Sequence, residues 1–324
     1  WMYNDDVYAF RDNAGATACI MHKSTSSGWV EQDLGIYINF ISGTTAAPEA
    51  GVTITDTTTG ATGVLVAVVI ETGSFAGANA EGWMYLKSIA GGVFGNGHVT
   101  TWTGGSATVV TTDENTFTAG GRYEFINYNF SGQTETLKMY GCNGLDNAFQ
   151  WDGSGFALCR TRASIDTPSH IYAHKNHLFV SQNSSIISSS ISSPLEFDST
   201  TGASEIATGD DIVGFSNVPG EALMVANRNS TYILYGSSSS GGDAWNLVTH
   251  SFESGAIEWS IQNIDTIPKY LDDRGITSLR SVQSYGDFKS STLSQLVEPY
   301  LQTKQTLLNA SVRSREKDQY RLFF

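Results

Sequence analysis

Three histidines, His170, His174 and His177, form the densest group of potential metal ligands in the sequence. On a helix, side chains at this spacing could hold a zinc ion. The flanking residues 171–172 and 178–180 are mostly aliphatic or aromatic β-formers, which predicts two strands joined by a tight turn. In a strand only His170 and His174 share a face, and no third ligand is evident. The sequence therefore predicts no metal site here.

Paired carboxylates are the second candidate for chemistry, because a glycosidase requires two acids that face one cleft. Asp210-Asp211 and Asp272-Asp273 are clear examples of such pairs. Their contexts, GDD and DDRG, are typical of turns in which an Asp side chain accepts backbone N–H bonds. The sequence also lacks the motifs of serine hydrolases, zinc proteases, P-loop enzymes and dinucleotide-binding enzymes. We predict no catalytic residue, no cofactor and no enzymatic activity.

The three cysteines, Cys19, Cys142 and Cys159, are too few for a disulfide framework, and their number is odd. Cys142 and Cys159 flank one predicted hairpin and could lie near each other. Buried, reduced thiols that serve as small apolar side chains are the simplest interpretation. Nothing in this pattern requires an oxidising compartment.

The charge of the chain restricts its partners. The formal net charge is −14, and charged residues make up only 15% of the 324 residues. An acidic surface disfavours a protein that grips nucleic acid or anionic lipid, since both partners are themselves negative. It does not disfavour a channel through which DNA slides, because each cationic contact with a phosphate would add affinity and therefore friction.

A hairpin of apolar and aromatic residues returns about every fifty residues, and this period sets the predicted architecture. Apolar residues alternate with polar ones along the strands, and Gly, Ser and Asn separate them. The pattern predicts an all-β fold, a six-bladed β-propeller whose last blade is incomplete. The hairpins lie around Phe125, Tyr172, Met224, Ile276 and Tyr320.

Residues 38–112 interrupt this period with a stretch rich in Ala, Gly, Thr and Val. Short apolar runs separated by Gly-containing turns predict five or six strands, enough for a small β-barrel or sandwich. Without this stretch, the interval between Tyr8 and Phe125 resembles the others. We therefore predict a discontinuous propeller, residues 1–37 and 113–324, that carries an inserted barrel or sandwich domain at 38–112.

One segment near the C-terminal end has helical rather than β periodicity. Over residues 291–304, apolar side chains recur at helical spacing, with Ser290 or Ser291 as a plausible N-cap. Pro299 should kink or shorten this helix. Two roles stay open for it: it covers the edge of the propeller, or it contacts another subunit. The candidate interface residues are Leu293, Leu296, Val297, Tyr300 and Leu301.

The chain begins at Trp1 and ends within a predicted strand, Tyr320–Phe324. We therefore expect it to be the ordered part of a longer polypeptide. The sequence shows neither a recognisable signal peptide nor an apolar run near 18 residues. We expect no membrane span.

From about Tyr123 onward, the sequence resembles structural proteins of phage tails. The motifs are similar in kind and order to those of the propeller proteins that form the tail nozzle, or hub, of short-tailed phages, the tail tubular protein B type. The stretch rich in Ala, Gly and Thr also resembles segments of phage virion proteins. The motifs that carry the resemblance are YGCNGLDNAFQWDGSGF (140–156), HIYAHKNHLFVSQNSSIISSSISSPLEFD (170–198), GDDIVGFSNVPGEALMVANRNSTYILYG (209–236) and GAIEWSIQNIDTIPKYLDDRGITSLRSVQSYGDFKSSTLSQLVEPYL (255–301).

The resemblance implies a ring, usually sixfold, at the distal end of the tail beneath the portal and adaptor. DNA would pass through the lumen of this ring without specific binding. The implied partners are further copies of the chain in a homo-hexamer, the tail adaptor and other tail proteins. The implied location is the virion, after assembly in the host cytoplasm. Proteins of this family have no catalytic residues, so the resemblance implies none in this chain.

An alternative function is suggested by the 7 Trp and 14 Tyr residues. Exposed aromatic rings stack on sugars, so the propeller could instead bind or hydrolyse glycans, as a host-receptor adhesin or depolymerase. The same side chains would also fill the cores of propeller blades, because large aromatic rings bury the most area there. The sequence leaves both functions open, with the phage tail nozzle as the main hypothesis.

Overall fold

The computed structural model describes the backbone of the whole chain except residues 133–135, 240, 242, 253, 283–286, 295, 315 and 318. It describes the side chains of the same residues, except those of 280–292. The described residues form five four-stranded sheets, one closed six-stranded barrel and one two-stranded hairpin. The predicted all-β fold is confirmed. The chain divides into two compact units, Trp1–Thr167 (unit 1) and Pro168–Phe324 (unit 2).

Unit 1 contains, in chain order, a four-stranded sheet, the barrel and a second four-stranded sheet. Sheet 1 comprises β1 (Met2–Tyr3), β2 (Asp6–Asp12), β3 (Cys19–Thr25) and β4 (Gly28–Glu31). The barrel comprises β5 (Ile36–Thr45), β6 (Thr53–Asp56), β7 (Thr62–Thr72), β8 (Ala80–Ala90), β9 (Val99–Trp102) and β10 (Gly105–Glu114). Sheet 2 comprises β11 (Glu124–Tyr128), β12 (Lys138–Cys142), β13 (Ala148–Trp151) and β14 (Phe156–Cys159).

Unit 2 contains three four-stranded sheets and the final hairpin. Sheet 3 comprises β15 (Ile171–His174), β16 (His177–Gln182), β17 (Ser185–Ser188) and β18 (Ser204–Ala207). Sheet 4 comprises β19 (Ile212–Val218), β20 (Ala222–Asn227), β21 (Thr231–Tyr235) and β22 (Asn246–Ser251). Sheet 5 comprises β23 (Gln262–Ile264), β24 (Ile267–Asp272), β25 (Gly275–Val282) and β26 (Asp287–Thr292), and the hairpin comprises β27 (Ala310–Ser314) and β28 (Gln319–Phe323).

Helical structure is scarce in the described part of the chain. It consists of α1 (Glu298–Gln302) and 3₁₀ turns at Ser199–Thr201 and Gln305–Leu307. None of the described helices has the length or the apolar character that crossing a membrane would require.

In all five sheets the strands follow chain order and each pairs antiparallel with the next. This meander arises because short strands are joined by tight turns that reverse the chain. In sheets 1, 3 and 5 the first turn has positive φ at both central residues, as a type I′ turn requires. These residues are Asn4-Asp5, Lys175-Asn176 and Asp265-Thr266. The tight turn predicted between His174 and His177 is therefore confirmed.

Neighbouring sheets share their apolar cores. All six residues of β20 are buried, and because side chains alternate across a strand, they serve two different cores. Leu223 and Val225 pack with sheet 3, where Phe179 lies in the same cluster. Met224 packs on the opposite face with Tyr270 of sheet 5. Sheet 4 therefore has no core of its own.

A repeated hydrogen bond links the first strands of successive sheets. Asn127 on β11 donates from Nδ2 to the carbonyl oxygen of Met2 on β1 at 2.8 Å. Asn263 on β23 donates in the same way to the carbonyl oxygen of Asn217 on β19 at 2.7 Å. Arg313 on β27 then donates to the carbonyl oxygen of Asn263 at 3.2 Å. These bonds place first strands of consecutive sheets side by side within each unit.

The barrel, by contrast, closes on itself in the strand order β10-β5-β8-β7-β6-β9. Its interior is a separate cluster that includes Phe40, Met84 and Trp102. The closed barrel spans Ile36–Glu114, and Ile36 pairs directly with Glu114, so its two ends are adjacent. The stretch that sequence placed at 38–112 is thus a barrel and not a sandwich.

The chain enters and leaves the barrel through a narrow neck, Leu34–Gly35 and Asn115. Gly35 has a φ of +67°, and a Cβ atom there would lie 2.1 Å from the carbonyl oxygen of Leu86. Only glycine fits this position. Across the neck, the Asn115 backbone N–H donates to Gly35 O, and its Nδ2 donates to Leu34 O, both at 3.0 Å.

Candidate subunit interface

The predicted interface residues lie in the segment that follows sheet 5. Beyond the end of β26, the backbone N–H of Leu293 donates to Ile276 O at 2.7 Å, and Ile276 N–H donates back to Ser294 Oγ at 2.7 Å. This reciprocal pair fixes the segment to the edge of β25. The chain then turns, with Val297 N–H donating to Ser294 O at 2.9 Å.

The helix predicted over residues 291–304 is largely wrong. Residues 291 and 292 belong to strand β26, and α1 comprises only the five residues Glu298–Gln302. Pro299 lies in the first turn of α1, where its missing N–H costs nothing. Val297, not Ser290 or Ser291, is the N-cap, and it makes no side-chain cap. Proline therefore marks the start of a short helix.

Within unit 2, α1 rests on the turn between β24 and β25. Leu301 is buried, at 6% exposed. Gln302 Nε2 donates to Asp273 O at 3.3 Å and to Glu298 Oε1 at 3.1 Å. Beside the helix, Arg228 forms an ion pair with Asp273 at 2.6 Å. Leu301 is thus an anchor within the chain rather than a surface side chain.

The other four candidate residues are exposed and together define the C-terminal apolar patch. Leu293 is 49% exposed, Leu296 99%, Val297 50% and Tyr300 60%. Single exposed apolar residues are ordinary on protein surfaces. Four of them within eight positions make this segment a candidate interaction site. Of the five residues predicted for the interface, these four are accessible to a partner in the structure.

The three histidines do not converge on one point. His174 and His177 are partners across the β15–β16 turn. The Nδ1 atom of His174 lies 3.0 Å from Asn217 Oδ1, whereas that of His177 lies 2.6 Å from Ser189 O. His170 packs on the ring of Trp259. Within the described residues no group of three potential ligands is suited to a metal ion.

The Asp pairs behave as the sequence predicts for turns. Asp272 Oδ1 accepts the backbone N–H of Arg274 at 2.8 Å, and its Oδ2 accepts the hydroxyls of Ser254 and Thr277. Asp210 Oδ1 accepts the N–H of Asp211 at 2.9 Å. These carboxylates therefore stabilise loops.

The three cysteines are free and buried, as predicted. Cys142 on β12 and Cys159 on β14 are separated by β13. Burial raises the pKa of both thiols well above the usual range. Both side chains are therefore protonated near neutral pH and poorly nucleophilic.

No family model matches the sequence, and no curated protein matches it. Among solved structures, the extracellular domain of a one-component system from B. thetaiotaomicron is similar over 99% of this chain. The sequence identity is 10% and the TM-score is 0.29. The chain spans 50% of that structure's length. A likeness this distant carries no argument about function.

Proposed function

We propose that this chain is a structural subunit of a phage tail nozzle, in which copies assemble into a ring around the path of the DNA. The C-terminal apolar patch is the observation that carries the proposal. Leu296 is almost completely exposed in the single chain, which is unfavourable for an apolar side chain. Covering it with another protein surface would be favourable. The proposed cover is a second copy of the chain, since a closed ring requires that each subunit contact its neighbours.

The arrangement of the sheets supports a propeller as the body of this subunit. Five antiparallel meanders follow one another, and a two-stranded hairpin follows the fifth. Shared cores and the bonds between first strands join successive sheets within each unit. We propose that residues 1–37 and 113–324 form six blades, the last one incomplete, with the barrel inserted after the first blade.

The net charge of −14 suits a ring through which DNA slides, because a wall without clustered cations does not retain phosphate. In the proposed assembly the ring is a homo-hexamer that contacts the tail adaptor and other tail proteins. DNA passes through its lumen without specific binding. The proposed location is the virion, after assembly in the host cytoplasm.

Charged substitutions in the C-terminal apolar patch test this proposal. Leu296→Asp combined with Val297→Asp should abolish assembly and leave the melting temperature of the monomer unchanged, because both side chains face solvent in the single chain. Mass photometry and a thermal melt would measure the two quantities. Leu145→Asp, at a leucine that is 44% exposed in the loop between β12 and β13, is the matched control and should assemble normally.

Leu301→Ala separates the effect of α1 on the stability of unit 2 from its effect on ring assembly. Because Leu301 is buried within unit 2, this variant should lower the melting temperature through the loss of packing. A double Asp variant that still forms rings would contradict the role of the patch. A wild-type chain that stays monomeric and binds an oligosaccharide would instead favour the glycan-binding alternative.

A further inference from the structure

The outer surface of the barrel carries aromatic side chains that are covered although they face away from the barrel core. Met84 and Leu86 on β8 belong to the interior cluster of the barrel. Because side chains alternate along a strand, Trp83 and Tyr85 on the same strand point outward. Tyr37 lies opposite Tyr85 on the paired strand β5. Tyr85 is nevertheless 0% exposed, so another part of the chain covers this place.

The cover comes from Arg160, which follows β14 at the edge of sheet 2. Its guanidinium carbon lies 3.7 Å from the centre of the Trp83 ring and 5.6 Å from the centre of the Tyr37 ring. Its Nε donates a hydrogen bond to Tyr85 Oη at 3.1 Å. A cation near the face of an aromatic ring is attracted by the π electrons of that ring. We refer to Arg160, Tyr37, Trp83 and Tyr85 together as the aromatic latch.

The chemistry of the aromatic latch requires arginine rather than any cation. Burial raises the pKa of Tyr85 well above its usual range, and the lowering by Arg160 is the smaller effect. The phenol is therefore neutral near neutral pH and does not act as a counter-ion. The planar guanidinium can stack on Trp83 and donate to Tyr85 at the same time, which the ammonium group of a lysine cannot do.

Two further hydrogen bonds join sheet 2 to the barrel beside the aromatic latch. Arg162 donates from Nη2 to the carbonyl oxygen of Ile70 on β7 at 2.9 Å. Lys87 on β8 donates from Nζ to Ser154 Oγ, in the turn between β13 and β14, at 2.6 Å. Both bonds are exposed, so water competes for the same groups. We expect each of them to contribute less than Arg160.

The neck of the barrel does not by itself fix the direction of the barrel. It consists of two chain segments that cross at one place, Leu34–Gly35 and Asn115, joined by two hydrogen bonds. Such a short crossing can act as a hinge, in which a few backbone dihedral angles absorb a rotation. A second contact, between β8 and the residues after β14, would remove this freedom.

We propose that the aromatic latch holds the barrel in one fixed direction against sheet 2, and that without Arg160 the barrel turns about its neck. The barrel is then a rigid part of unit 1 and not a tethered appendage. The aromatic latch lies outside the barrel core, so its loss leaves the barrel folded. The inference rests on contacts within unit 1 and does not depend on the ring proposed above.

The distance between two spin labels tests the aromatic latch in the full chain. Glu49→Cys, between β5 and β6, and Leu145→Cys, between β12 and β13, place one label on the barrel and one on sheet 2. The native cysteines are buried and should react slowly with the label. Double electron–electron resonance should give one narrow distance distribution. Arg160→Ala in the labelled chain should broaden or shift this distribution.

Three further variants separate the aromatic latch from charge and from folding. Arg160→Lys keeps the positive charge but not the planar group, and should broaden the distribution nearly as much as Arg160→Ala. Trp83→Leu removes the latch from the side of the barrel, and combining it with Arg160→Ala should add little. Arg11→Ala, at an exposed arginine of β2, is the matched control and should leave the distribution unchanged.

Hydrogen exchange in β5–β10 should be as slow in Arg160→Ala as in wild type, which would show that the barrel remains folded. The same narrow distribution in wild type, Arg160→Ala and Trp83→Leu would overturn the proposal, because the neck alone would then fix the barrel. A distribution that is already broad in wild type would contradict it as well. Equal broadening by Arg11→Ala and Arg160→Ala would assign the effect to charge and refute the latch.

Discussion

The barrel and the four-stranded sheets use the same strand chemistry to build two kinds of core. In the barrel, one face of each strand points into an interior that the barrel alone encloses. In sheet 4, both faces of β20 are buried, one against sheet 3 and the other against sheet 5. The barrel therefore encloses its core without help from other sheets, whereas a sheet shares its cores with its neighbours.

This difference shows how an insertion is tolerated in a chain of interdependent sheets. Ile36 and Glu114 are paired, so the chain enters and leaves the barrel at one place between sheets 1 and 2. Those two sheets still share one core, in which Tyr8 of sheet 1 packs against Trp151 of sheet 2. The inserted barrel therefore does not separate sheet 1 from sheet 2.

Deleting each kind of element should give the largest contrast. Removal of residues 38–112, with a short Gly/Ser linker in their place, should leave a cooperative melt and a β-type circular dichroism spectrum, because the two ends are adjacent. Removal of sheet 4, residues 212–251, should prevent folding of unit 2, since two shared cores would lose one wall. Insoluble protein after the first deletion would contradict the independence of the barrel.

Two buried methionines test the same contrast by point substitution. Met84 in the barrel and Met224 in sheet 4 are both 0% exposed, and replacing either with alanine should cost about 2–5 kcal/mol. Hydrogen exchange should report faster opening only within the barrel for Met84→Ala. For Met224→Ala it should report faster opening in sheets 4 and 5 together. Comparable opening of sheets 1 and 2 in Met84→Ala would show that the barrel is not independent.

Asp56 gives the barrel a pH dependence of its own. Burial alone would raise the pKa of this carboxyl, but hydrogen bonds outweigh it and lower the pKa to about 2. The partners are the backbone N–H groups of Thr58, Thr59 and Gly95, and His98 Nδ1 at 2.9 Å. Because the folded pKa lies below the ordinary value of 3.8, the ionised group stabilises the barrel above about pH 4.

This contribution is lost as the pH falls towards 2. We expect the barrel to lose about 1–2 kcal/mol of stability over this range, measured by hydrogen exchange in β6 and β9. Asp56→Asn should be less stable than wild type at pH 6 and should show a flatter dependence on pH. An unchanged acid dependence in Asp56→Asn would assign the effect to other carboxylates.

Local patterns were sufficient to predict much of this fold. Alternating apolar residues indicated the strands, and the dense Gly and Thr of residues 38–112 indicated the short turns of a separate β element. The turn at Lys175-Asn176 followed from its place between two apolar runs. The choice of barrel over sandwich depends on the pairing of β6 with β9 and of β10 with β5, which no local pattern reveals.

The helix at 291–304 shows where local periodicity is insufficient. Leu293, Leu296 and Val297 have helical spacing, yet hydrogen bonds to Ile276 extend the chain along β25. Tertiary pairing here overrides a weak local preference. The hydrogen bonds between first strands could not be predicted from local patterns either, because partners such as Asn127 and Met2 are distant in sequence. The neck of the barrel depends on the same kind of long-range contact, because Asn115 donates to the carbonyl oxygens of Leu34 and Gly35.

Negative-stain electron microscopy of the purified chain tests the proposed nozzle most directly. We expect closed rings with sixfold symmetry, each subunit bearing one lobe the size of the barrel. The same images of the chain without residues 38–112 should show rings that lack these lobes. Monomers at micromolar concentration, or fibres in place of rings, would contradict the assignment to a tail nozzle.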